Sequence, residues 1–176
     1  MYDIRGKKYL DMMSAYSAVS FGHCNPRILV VLRKQTRTLN TISRAFYSDK
    51  LGPFAKKLCV ISGMDMMLPM NTGAEAVETA IKAARRWGYQ VKGIPENQAE
   101  IIVAERNFHG RTTTVISFSS EKEYQRGFGP FTPGFKEIPF GNAEALEKAI
   151  TPNTCAFLVE PIQGEGGIIV PPEGYL

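Results

Sequence analysis

The sequence predicts an α/β protein: a mostly parallel sheet with helices on its faces, preceded by a small N-terminal hairpin and helix segment. Three observations predict it. From about residue 64 onward, short apolar runs and helical patterns alternate, an order that produces a parallel sheet covered by helices. Ala74, Val77, Ala80, Ile81, Ala84 and Trp87 recur at three- and four-residue spacing, the signature of an amphipathic helix. Ile101-Ile102-Val103 and residues 155–159 are compact apolar runs, the pattern of strands buried on both faces.

The elements follow in order. Tyr2-Asp3-Ile4, a turn at Arg5-Gly6 and Lys7-Lys8-Tyr9-Leu10-Asp11 read as a hairpin, and residues 14–22 as a loop rich in small side chains. Pro26 opens a helix to about Leu39, because a proline in the first helical turn gives up only an N–H that has no partner there. A second helix is expected over about 50–60 and a short strand over 64–70. Asn71-Thr72-Gly73 leads into the long helix, which runs to Tyr89. Beyond it we expect a strand at 99–105, a helix at 111–118, a loop studded with Gly, Pro and Phe at 127–134, a strand at 135–140, a helix at 143–150 and a strand at 155–159. The sheet has only a few strands when the sequence reaches Leu176, so the expectation is a piece of a larger α/β enzyme.

Composition narrows the function. With 44% hydrophobic and 22% charged residues in 176, the chain can bury one sizeable core. The net charge of +4 is scattered over pairs such as Arg33-Lys34, Lys56-Lys57 and Arg85-Arg86, which read as solvated helix faces. Nucleic-acid binding would need a concentrated basic stripe, so no nucleic-acid partner is expected. A modest positive excess suits dicarboxylates and phosphates. Cys24, Cys59 and Cys155 are odd in number and lack paired spacing, which argues against a disulfide framework or a zinc site. His23 and His109 are the only histidines, too few for a metal set. No apolar run is long enough to span a membrane as a helix, and the N-terminus carries no signal-peptide region. A reducing compartment is expected: cytoplasmic, or the mitochondrial matrix for a eukaryotic source.

Three segments carry chemistry. Leu68-Pro69-Met70-Asn71-Thr72-Gly73-Ala74-Glu75 joins the expected strand to the long helix through a glycine. The first N–H groups of a helix lack internal partners and gain partial positive charge from the macrodipole, so a phosphate fits there. Gly73, without a Cβ, lets the backbone approach closely; many such joints nevertheless bind nothing. Asn107-Phe108-His109-Gly110-Arg111-Thr112 follows the strand at 99–105, at the edge where open α/β sheets bind ligands. Phe108 there can stack on a flat heterocycle and Arg111 can clamp a carboxylate, or they can be an ordinary core phenylalanine and surface arginine. Val159-Glu160-Pro161-Ile162-Gln163-Gly164-Glu165 places Glu160 at the end of an apolar strand, where it can orient a ligand or merely cap a loop. Together the three describe a site for a flat phosphorylated cofactor and an acidic substrate.

Asn71-Thr72-Gly73-Ala74-Glu75-Ala76, Phe108-His109-Gly110-Arg111-Thr112 and Val159-Glu160-Pro161-Ile162-Gln163-Gly164-Glu165 resemble, in order and spacing, the signature segments of the class III (ω-) aminotransferases, which have pyridoxal 5'-phosphate (PLP) fold type I. Ser14-Ala15-Tyr16-Ser17-Ala18-Val19, Ser43-Arg44-Ala45-Phe46-Tyr47, Arg86-Trp87-Gly88-Tyr89 and Gly127-Phe128-Gly129-Pro130-Phe131 are most similar to the branch acting on ornithine. The resemblance implies that residues 26–176 are part of the PLP-binding large domain and that 1–25 form a hairpin and pocket loop before it. It implies cofactor-binding roles for Thr72, Gly73, Ala74, Phe108, His109 and Glu160: backbone N–H groups of Gly73 and Ala74 on the phosphate, Phe108 on the pyridine ring, Glu160 beside the cofactor in a supporting catalytic role. Substrate contacts fall to Tyr16, Arg111 and Glu165, with Arg111 on a carboxylate and Glu165 as a gate that pairs with a distant arginine.

The implied reaction moves the δ-amino group of L-ornithine to 2-oxoglutarate, giving glutamate 5-semialdehyde and glutamate, in a homodimer. In that family the lysine that bonds the cofactor lies downstream of the region matched here, so the isolated chain is expected to be inactive. Ser20-Phe21 stands where Asn-Gln is more usual and Asn25 where His is frequent. Other class III enzymes, acting on acetylornithine or 4-aminobutyrate, share the core motifs. A non-catalytic module that binds a phosphorylated ligand is the remaining alternative.

Overall fold

A computed structural model describes residues 1–176, which form two compact units, Met1–Met67 and Leu68–Leu176. In the first, Tyr2 and Lys8 form an antiparallel bridge, and the Asp3 carboxylate closes the turn by accepting the Arg5 and Lys7 N–H groups at 2.8 and 3.0 Å. Helix α1 (Pro26–Thr36) starts at Asn25, whose side chain accepts the Arg27 N–H, and ends three residues earlier than its apolar pattern predicts. Its end is a turn in which the Thr38 and Leu39 N–H groups both bond to the Gln35 carbonyl. Helix α2 (Leu51–Ser62) stops at Gly63, whose φ of 70° supplies the left-handed cap that glycine adopts most readily. Neither helix has a buried residue.

The second unit holds α3 (Gly73–Gln90), β1 (Glu100–Ala104), α4 (Thr113–Ile116), α5 (Lys122–Gln125), β2 (Phe135–Ile138), α6 (Ala143–Ala149) and β3 (Thr154–Leu158). The sheet order is β2-β1-β3, all parallel, with Ile101 opposite Phe135 and Ala156. The α/β class with a parallel sheet is therefore as the sequence predicts. Alternate side chains of β1 point to opposite faces. Ile101 and Val103 pack with Ile81 of α3 and with Val115 and Phe118, while Ile102 packs with Ile138 and Ala149. Each of these buried Ile, Val and Phe side chains contributes about 1.5–3 kcal/mol.

Two expectations need correction. Residues 64–70 form no strand: none of the three strands pairs with them, and Met66 and Leu68 are exposed. An apolar run becomes a strand only with a hydrogen-bonding neighbour. The helix expected at 111–118 shrinks to Thr113–Ile116. Its residues are mostly β-branched, which disfavours helix. The Ser117 hydroxyl bonds back to the Thr113 carbonyl, and the chain tightens into three-residue turns at Ser117, Phe118 and Ser119.

Candidate active site

Because β1 and β3 are parallel, the segments that leave them, from Glu105 and from Val159, emerge at one edge of the sheet. Gln163, fully buried, fixes their spacing by donating from its side-chain amide to the Glu105 carbonyl at 2.6 Å. Asn107, also buried, bends the chain back after β1, donating to the carbonyls of Ala104 (2.7 Å) and Phe118 (3.1 Å). The next residue, Phe108, donates its backbone N–H to the Glu160 carboxylate at 3.1 Å. Two of the three predicted segments are thus joined directly by two of the predicted residues.

The start of α3 joins them as the third. The Thr72 hydroxyl accepts the Glu75 N–H at 3.1 Å, and the Glu75 carboxylate accepts the Asn71 N–H at 2.8 Å. This reciprocal cap uses the donors of Asn71 and Glu75 and leaves those of Gly73 and Ala74 without a protein partner. They stand at the positive end of an 18-residue helix, where the macrodipole amounts to roughly half a unit charge. Gly110, at φ 119°, lies against Ala74: a Cβ on Gly110 would sit 3.4 Å from that of Ala74. Thr112 donates its hydroxyl to Glu78 of α3.

The remaining predicted residues fall as follows. His109 lies beside Phe118, with ring centroids 6.0 Å apart. Its Nε2 is buried without a partner, and burial holds its pKa below the ordinary 6.5, so the imidazole is neutral at neutral pH. Arg111 is exposed and lines a cleft of about 330 Å³ with Thr113, Ile116, Glu123, Tyr124 and Phe128. Glu165 is exposed, in the turn after Gln163, and takes part in no ion pair. Tyr16 belongs to the first unit, 78% exposed, within four consecutive left-handed residues, Ser14 to Ser17. Asp11 anchors that turn by accepting the Met13 and Ser14 N–H groups and is itself bonded to His23 at 2.7 Å.

Sequence reasoning missed Glu78 and Tyr124. The Tyr124 ring meets Phe108 edge-on with centroids 6.5 Å apart. Neither had a usable signal, since Glu78 reads as an exposed helix residue and α5 is four polar-rich residues without apolar periodicity.

The residues present fit a flat phosphorylated cofactor. Two unpartnered helix N–H groups suit the phosphate, and a Cβ at Gly73 would meet no protein atom within 4 Å, so the space before it is open. Phe108 is half-buried in the same loop whose Gly110 rests on Ala74. The family profile for class III aminotransferases matches residues 1–176. The chain belongs to the class III aminotransferase family.

Members of this family depend on PLP. Among relatives, the ornithine aminotransferase of Brevibacillus brevis is 65% identical over all 176 residues, which make up 44% of that protein. The crystal structure of ornithine aminotransferase from Toxoplasma gondii matches 99% of this chain and 42% of its own, with a TM-score of 0.95 and 46% identity. A solved acetylornithine aminotransferase from Elizabethkingia anophelis is 54% identical over 99% of this chain and 42% of its own, with a TM-score of 0.80. The chain spans less than half the length of the curated relatives it matches. No helix is long and apolar enough to cross a membrane.

Proposed function

We propose that the protein to which this chain belongs is a PLP-dependent ornithine δ-aminotransferase, moving the δ-amino group of L-ornithine to 2-oxoglutarate to give glutamate 5-semialdehyde and glutamate. One observation carries the reading of the site: Phe108, Glu160 and the open N-terminus of α3 meet at a single sheet edge. Identity of 59–65% to enzymes named for ornithine supports the substrate.

Gly73 and Ala74, with Thr72 holding the turn, bind the phosphate. Phe108 stacks on the ring, with the neutral His109 packed behind the same loop. Glu160 fixes the Phe108 backbone and stands beside the cofactor. Arg111 binds a substrate carboxylate, Tyr16 lines the substrate pocket, and Glu165 is the gate. PLP supplies the electron sink; these residues supply binding, orientation and electrostatics. Residues 26–176 then belong to the large domain and 1–25 to the hairpin and pocket loop. The protein works as a homodimer in the cytoplasm, or in the matrix if eukaryotic.

Acetylornithine is the second reading, favoured by the 54% identity to an enzyme named for it. Steady-state assay of the full-length protein separates the two. The proposal expects kcat/KM for ornithine to exceed that for acetylornithine and 4-aminobutyrate. In the same assay Arg111→Ala should raise KM for 2-oxoglutarate about tenfold or more, the worth of a charge-assisted contact. Activity on acetylornithine but not ornithine overturns the substrate, and unchanged kinetics overturn the role of Arg111.

A further inference from the structure

We propose that Glu78 is a positioning residue, the one that locks the 108–112 loop onto the same helix whose N-terminus receives the phosphate. The proposal rests on the cofactor reading above and adds to it a residue that the motifs do not single out.

The loop has three attachments. At its start the Phe108 N–H donates to Glu160 after β3. In its middle Gly110 rests on Ala74. At its end Thr112 donates to Glu78, while the same hydroxyl oxygen accepts the Val115 N–H at 3.2 Å and so caps α4. The single proton of Thr112 therefore goes to Glu78. Arg111 is the residue just before it. Glu78 is half-buried, one turn beyond Ala74 on α3. The reciprocal cap at Thr72 and Glu75 closes the turn into the helix without Glu78. Its acceptor faces the loop, and α3 is a rigid ruler: the spacing between phosphate donors and Thr112 is fixed by one turn of helix. Without the carboxylate, Thr112 keeps its cap but loses its tie to α3. Phe108 and Arg111 then lose their register against Gly73 and Ala74.

The test uses the full-length protein and two readouts, PLP dissociation followed by the cofactor's absorbance and the split between KM and kcat. Glu78→Ala should raise the PLP dissociation constant about tenfold, as for loss of a hydrogen bond to a charged group, and raise KM for 2-oxoglutarate more than it lowers kcat. Glu78→Gln keeps an acceptor oxygen and should restore both to within about threefold. Gln as weak as Ala, or Ala equal to wild type, overturns the proposal. If Glu78→Ala does not fold, Thr112→Val against Thr112→Ser decides it: Val should lose PLP affinity and Ser keep it, and equal affinity overturns the proposal. If all variants fold, Glu78→Ala with Thr112→Val should be no worse than the weaker single variant; additive losses overturn the tie. A wild-type protein that takes up no PLP overturns the cofactor reading together with the proposal, whereas a wild type that binds PLP beside an unaffected Glu78→Ala overturns the proposal alone.

Discussion

At the scale of residues, the site depends on donors left over after the turn has satisfied itself. Thr72 and Glu75 use each other, and Gly73 and Ala74 remain open. Gly73 has an ordinary φ and free space where a Cβ would go. Gly73→Ala should therefore leave the melting temperature of the cofactor-free protein nearly unchanged. It should still weaken PLP binding about tenfold by crowding the phosphate, the loss expected when one of these hydrogen bonds is spoiled. Titration of the full-length variant with PLP checks this, and undiminished affinity would place the phosphate elsewhere. The open donors of Gly73 and Ala74 were legible because a glycine at a helix start is a motif contiguous in sequence. Glu78 and Tyr124 were not, since their importance lies in partners 34 and 16 residues away, and no local pattern records such a pairing.

At the scale of elements, the long helix and the three strands were visible because each carries a clear period or a compact apolar run. The strand expected at 64–70 was not formed, because apolar content says nothing about whether a neighbour is available to accept its hydrogen bonds. The helix at 111–118 failed for local reasons: its run of β-branched residues disfavours helix, and the Ser117 hydroxyl bonds back to the Thr113 carbonyl. Packing adds a constraint that composition does not show. Gly88 lets α3 lie directly on β3, since a Cβ there would come within 2.9 Å of the Cys155 Cβ and 3.1 Å of Ile94 Cδ1. Gly88→Ala, unlike Gly73→Ala, should lower the stability of the full-length protein by about 1–3 kcal/mol, the usual cost of overpacking. Thermal unfolding without cofactor measures it, and equal melting temperatures would contradict this packing.

At the scale of the whole molecule, a chain that covers less than half the length of its relatives still brings the three motif segments together. Its second unit joins the start of α3, the Phe108 loop and Glu160 through hydrogen bonds and close contacts between segments far apart in sequence. The parallel sheet makes this possible by delivering the loops after β1 and β3 to one edge, where ligands of open α/β sheets are held. The family was legible from three short motifs, while substrate choice depends on side chains whose partners the motifs do not specify. The most direct measurement is a crystal structure of the full-length protein with PLP bound. The account predicts phosphate oxygens within hydrogen-bonding distance of the Gly73 and Ala74 N–H groups, with the Phe108 ring stacked on the pyridine and Glu160 still bonded to the Phe108 N–H. A phosphate bound away from the start of α3, or a Phe108 ring turned from the cofactor, would contradict it.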